Sequence, residues 1–118
     1  MINITIPTPD VTIMKEENPQ LSHIYGFQDF HLISREVGGI FMFYNDEDEL
    51  LFVGKARKLR QRIKKHFEDT VSPIKAHREE VAKIEVCHVE DAVHREIYET
   101  YIINELKAKY NVEKVFFK

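Results

Sequence analysis

Seven cations, Lys55, Arg57, Lys58, Arg60, Arg62, Lys64 and Lys65, fall within residues 55–65 with no acid between them. Ammonium and guanidinium groups at this density suit the holding of phosphate oxygens. Leu59, Ile63 and Phe67 recur every four residues, so the segment is predicted to be a helix with one apolar stripe and cations elsewhere. Arg62 and His66 lie one turn apart at the margin of that stripe, near whatever the helix packs on. Arg62 is the planar, bidentate clamp suited to a phosphate. Lys58, Lys64 and Lys65 read equally well as solvated charge, and His66 by itself as a packing residue.

A second chemical signal is a carboxylate on an apolar face. In DAVHREIYETYIINELKAKY (91–110), a period of 3.6 puts Glu99 on the side of Ala92, Ile102, Ile103 and Leu106. A carboxylate there needs a compensating cation. An arginine at the rim of the core is one answer. A metal is the other, because magnesium takes one or two protein carboxylates and completes its shell with water and substrate phosphate. Glu96 and Glu105 read as solvated acids.

The elements that must position these groups follow from local pattern. GGIFMFY (38–44) and LLFV (50–53) are predicted strands. NDEDE (45–49) turns between them, making an antiparallel hairpin. Gly54 ends the hairpin and leads into the basic helix. Ser72-Pro73 starts a further helix running to about Lys83. KIEVCHV (83–89) alternates as a third strand. Glu90 and Asp91 open a long helix over about 91–108, and YNVEKVFF (110–117) reads as a terminal strand. Residues 1 to about 20, with Pro7, Pro9 and Pro19, read as an irregular arm or an edge element. Residues 20–36, with Ile24, Phe27, Phe30 and Leu32, read as a short helix or a cover for the sheet. The expected fold is α+β: a small, three-stranded, mainly antiparallel sheet flanked by helices at 38–118, with residues 1–37 as an N-terminal extension.

A chain of 118 residues suits one domain with one core. Its 43% hydrophobic and 31% charged residues are those of an ordinary soluble protein. The single cysteine, Cys87, leaves no internal disulfide and fits a reducing compartment. No signal peptide is expected in MINITIPTPD, and no stretch approaches the roughly 20 apolar residues of a membrane helix. The expectation is a cytoplasmic protein without a membrane partner. The net charge of -3 conceals a segregation, +7 within residues 55–65 against -10 elsewhere. Such a field steers a polyanion to one place.

Taken in order, GIF (39–41), FVGK (52–55), Arg62, Glu99 and YN (110–111) resemble the GIY-YIG nuclease family, most nearly the N-terminal nuclease domain of the excision-repair protein UvrC. GIFMFYNDEDELLFVGKARKLRQRIKKHF follows the family's GVY…MY…YVGKAK.L..R…YF without a gap. The stretch from Glu99 to Asn111 keeps its spacing, and the likeness covers about residues 38–112. The resemblance implies a DNA endonuclease dependent on Mg2+ or Mn2+, acting in DNA repair or on damaged or branched DNA. It gives Glu99 the role of metal ligand and Arg62 that of the catalytic arginine. Lys55 becomes the lysine after the second motif, Asn111 the asparagine that closes the site, and Gly39 and Gly54 the motif glycines. Arg57, Lys58, Arg60, Lys64 and Lys65 are left to hold the DNA backbone.

The chain departs from the family where both motif tyrosines are phenylalanine, Phe41 and Phe52. A phenyl ring keeps the packing and lacks the hydroxyl that prepares the attacking water. Tyr44, three residues from Phe41 on one strand, faces the other side of the sheet. His66 occupies a position where the family often has tyrosine or histidine, and it stands as the general base, with water activated by the metal as the alternative. The phenylalanines also keep a second function open, a DNA-binding or partner-binding module that retains the fold without the chemistry. A small nuclease domain has few surfaces for choosing a target, so a recruiting protein is a further expected partner.

Overall fold

Alternation makes the central strand two-faced. β2 (Gly39–Tyr44) sends Phe41 and Phe43 to one side of the sheet and Ile40, Met42 and Tyr44 to the other. In the computed structural model, which describes residues 4–15 and 25–117, β2 pairs antiparallel with β3 (Leu50–Ala56) across the predicted turn. Its other edge pairs with β4 (Lys83–His88). β1 (Val11–Met14) adds to the free side of β4, giving the order β1-β4-β2-β3. The sheet therefore has four strands rather than the expected three. The fourth comes from the segment read as an irregular arm or edge element. Only Ile13 of its four residues is buried, so its sequence carries too little alternation to register as a strand.

Two helices cover the two faces. α1 (Leu59–His66) lays Leu59 and Ile63 on the Phe41/Phe43 face, and Phe67 follows it into the same core. Each such side chain contributes about 1.5–3 kcal/mol by leaving water. Phe27, Phe30 and Ile33 seal this core around a single 3-10 turn, Asp29–Leu32, while Leu32 itself stays exposed. Pro19 and Ile24 lie outside the described residues. α2 (Ala92–Glu105) covers the opposite face with Ile102 and Ile103 against Ile40, Met42 and Cys87. Asp91 caps it as expected, accepting the amides of Val93 and His94.

Two predicted elements fold differently. The helix expected from Ser72-Pro73 is a short 3-10 helix, Lys75–Glu80. The Ser72 hydroxyl is shared between the His66 ring and the Ile74 amide, and the buried positions that follow include a charged residue, Arg78, between Ile74 and Val81. No strand forms over the described residues 110–117. The segment begins like one, with the amides of Lys109 and Tyr110 donating to the carbonyls of Leu50 and Leu51 along the outer edge of β3. The Asn111 side chain then takes the next rung, its Oδ1 accepting from the Val53 amide and its Nδ2 donating to the Val53 carbonyl, both at 2.9 Å. Lys114 turns the backbone at φ +62°, and the ladder ends.

Gly39 answers to crowding between strands. A Cβ there would lie 1.9 Å from the Cys87 carbonyl oxygen. Any side chain would break the β2–β4 pairing that carries the rest of the sheet.

Candidate active site

β3 is the last strand of the sheet, so groups from the layers on both faces can meet around its free edge. They do so in a cavity of about 540 Å³. Phe41, Phe52, Gly54 and Lys55 reach it from the strands, Arg62 and His66 from α1, Glu99 from α2, and Asn111 to Lys114 from the segment that follows α2. Gly54 permits this closeness: a Cβ on it would lie 2.3 Å from Cζ of Phe41, so the ring rests on bare backbone. Gly39 packs beneath the site, in the sheet.

Glu99 is buried, 8% exposed, and its carboxylate is compensated. The partner is a lysine rather than an arginine: Lys114 Nζ donates to Glu99 Oε1 at 2.6 Å. The same ammonium lies 2.6 Å from Oε1 of Glu96, whose Oε2 is 2.7 Å from Lys55 Nζ. Lys55, Glu96, Lys114 and Glu99 thus form a chain of alternating charge along one wall. The hydrogen bonds from Lys114 and then Lys55 hold the Glu96 carboxyl down at about 2. Burial alone pulls Lys114 downward, but the bonds to Glu96 and Glu99 outweigh it and raise the ammonium. Glu96, read as a solvated acid, is instead the link between two lysines. Lys114 gave no signal in the sequence, because its contact depends on how residues 112–117 fold back on α2.

His66 sits among three phenyl rings, Phe52, Phe41 and Phe43, at centroid distances of 4.9, 5.3 and 5.9 Å. Burial lowers it to about 4; Asp69 opposes the shift, while Arg62 and Arg78 add to it. The ring is therefore neutral at pH 7. Its Nδ1 is 2.7 Å from Ser72 Oγ. When Nδ1–H donates to that oxygen, Nε2 carries the lone pair. Arg78, buried, holds the loop that frames the ring: its Nε donates to the His66 carbonyl at 2.7 Å and its Nη2 to the Asp69 carbonyl. Sequence reasoning missed both Ser72 in this role and Arg78, since a cation in a polar stretch looks solvated.

The remaining cations divide. Lys58, Arg60, Lys64 and Lys65 line a separate hollow of about 490 Å³, and Arg57, Lys58, Arg62 and Lys65 one of about 340 Å³. Arg60, grouped with the backbone-holding cations, is half-buried and its guanidinium is hydrogen-bonded to main-chain carbonyls. Nε donates to the Ile33 carbonyl at 2.6 Å and Nη2 to that of His31 at 2.9 Å. Tyr44, on the opposite face, packs in the α2 core, and burial raises its phenol further.

No group of three or more His, Cys, Asp or Glu side chains gathers among the described residues. A site of this kind fits a hard cation that keeps most of its waters, not one needing a full protein cage. Glu99 stands at the wall of a cavity large enough for a phosphate, but Lys114 already compensates its charge, so the ion-pair answer to its burial is the one this structure shows, and a metal there would have to displace that ammonium or share the carboxylate with it.

Known proteins share this architecture. A model of the UvrC-like GIY-YIG domain matches residues 37–112. The uncharacterized protein YurQ of Bacillus subtilis is 67% identical over 124 residues, covering 100% of both chains. The UvrABC system protein C of Helicobacter pylori is 32% identical over 84 residues, a match covering 63% of this chain and 14% of that protein. The chain thus spans a small part of its UvrC relatives. Among solved structures, the N-terminal endonuclease domain of UvrC from Thermotoga maritima matches with a TM-score of 0.62 at 25% identity, covering 73% of this chain and 98% of that one. That structure is a tyrosine-to-phenylalanine point mutant bound to the catalytic divalent cation. The same domain bound to magnesium gives a TM-score of 0.62 at 24% identity, covering 72% of this chain and 98% of that one.

Proposed function

The chain belongs to the family of UvrC-like GIY-YIG domains, and on that premise we propose that it is a metal-dependent DNA endonuclease that hydrolyses phosphodiester bonds in damaged or branched DNA. The observation that carries the reading is the convergence of Glu99, Arg62, Lys55 and His66 on one cavity at the sheet edge.

Glu99 would hold a divalent cation, Mg2+ or Mn2+, which would supply neutralisation of the charge that develops in phosphodiester hydrolysis. Arg62 binds the non-bridging phosphate oxygens and stabilises the negative charge that develops on them. Lys55 adds a second positive group. His66 is the general base: neutral at pH 7, it accepts the proton of the attacking water at Nε2. Burial keeps its resting basicity low. Phe41 and Phe52 exclude bulk water and hold the ring. A tyrosine-to-phenylalanine mutant of the Thermotoga domain holds its cation, which supports metal binding in a domain that has lost one tyrosine. Arg57, Lys58, Lys64 and Lys65 hold the DNA backbone without reading sequence, so substrate choice is by DNA structure, aided by a recruiting protein. We assign residues 38–118 to the nuclease unit, with residues 1–37 as an extension that lends the edge strand β1. The setting is DNA repair in the cytoplasm, where the buried, free thiol of Cys87 is at home.

The test is nicking of supercoiled plasmid and of nicked, branched or lesion-bearing duplexes. Wild type is expected to cut with Mg2+ or Mn2+ and to stop with chelator, and Glu99→Gln to lose cutting while still binding DNA. The missing tyrosines favour a second reading, a DNA-binding or partner-binding module without catalysis. Salt-dependent binding with no cleavage of any of these substrates would establish that reading instead.

A further inference from the structure

The segment after Val112 lies outside the region matched by the family model, yet it closes over the carboxylate of that region's helix. Three features hold it there. Lys114 Nζ makes two contacts of 2.6 Å, to Glu96 and to Glu99. Asn104 on α2 ties the backbone on both sides of Val115, its Nδ2 donating to the Lys114 carbonyl at 2.8 Å and its Oδ1 accepting from the Phe116 amide at 2.5 Å. Val115 and Phe117 pack against the α2 core. The closure has a local cost, for Lys114 is a non-glycine residue in the left-handed region, at φ +62°.

We infer that residues 112–117 form a strap whose Lys114 ammonium is a built-in competitor for the divalent cation at Glu99, so that metal binds only when the strap lets go. The inference rests on the endonuclease reading, because it takes Glu99 as the metal ligand. An ammonium 2.6 Å from Glu99 Oε1 occupies the space a cation bonded to that oxygen would need. Both cations neutralise the same carboxylate and the ammonium blocks Oε1, so they compete, and the strap lowers apparent metal affinity by the fraction of molecules in which it is open. Release also frees Glu96 from one of its two lysines, leaving Lys55 its sole partner in the chain.

Mn2+ binding to the full chain, measured by calorimetry without DNA, tests the strap directly. Lys114→Met is expected to bind Mn2+ about tenfold or more tighter than wild type, the effect of a site open a tenth of the time or less. Removing a positive charge would itself favour a cation, so Asn104→Ala supplies the control. It unties the backbone without changing charge, and it is also expected to tighten binding. In wild type, saturating Mn2+ is expected to speed hydrogen exchange at the Phe116 amide. Wild-type affinity in both variants, or an unchanged Phe116 amide, overturns the strap and leaves the endonuclease reading in place. Absence of Mn2+ binding in every variant overturns both.

Discussion

Burial has reset the chemistry of His66. Its ring lies among Phe41, Phe43 and Phe52, and desolvation lowers it from 6.5 to about 4. As pH falls from about 6.5 toward about 4, the unfolded chain takes up a proton that the folded chain refuses. Stability is full above that window, is lost through it, and levels off below it; the total is on the order of 3 kcal/mol. Urea midpoints measured across pH 4–7 are expected to fall with acid for wild type. A His66→Phe variant should lose that part of the slope. An identical slope in the two proteins would mean the ring is not desolvated as described. At the same scale, Glu96 illustrates what a sequence hides. Its i+3 relation to Glu99 is visible, but its two lysine partners are 41 residues before it and 18 after it in the chain.

Helix α1 separates two kinds of arginine that look alike in RKLRQR. Arg62 lines the cavity beside His66, whereas Arg60 reaches back to the carbonyls of His31 and Ile33 and joins α1 to the preceding segment. Arg60→Ala is therefore expected to destabilise the fold by about 1.5–3 kcal/mol, the range for a charged group's hydrogen bonds. It should leave the salt dependence of DNA binding nearly unchanged. Arg62→Ala should cost rate more than stability. Lys64→Ala should reduce the slope of log affinity against log salt by about one. Denaturation curves and binding titrations at several salt concentrations check all three. The helix was predictable because Leu59, Ile63 and Phe67 repeat locally; the division of its cations was not, because it depends on what each one meets across the fold. The hairpin was readable for the same local reason, since alternation and a polar turn suffice. β1 was legible only as an arm or an edge element, and the strand expected over 110–117 comes down to the rungs at 109–111, since each is fixed by a partner strand rather than by its own pattern.

At the scale of the molecule, the sheet order explains why a site exists at all. With β3 at the edge, Glu99 from the layer on one face and Arg62 from the layer on the other share one cavity without passing through the sheet. Motif order made Glu99, Arg62, Lys55 and Asn111 nameable from sequence. The lysine now bonded to Glu99, and the buried Arg78 that frames His66, became visible only with the chain folded. The chain of charge from Lys55 to Glu99 is the wall on which the functional account depends. Crystals grown or soaked with manganese test it most directly, by anomalous scattering at the metal. The account predicts one peak at coordination distance from the Glu99 carboxylate, with the Lys114 ammonium moved away from it. A Glu99–Lys114 pair that stays closed at saturating manganese, with no peak in the cavity, would contradict it.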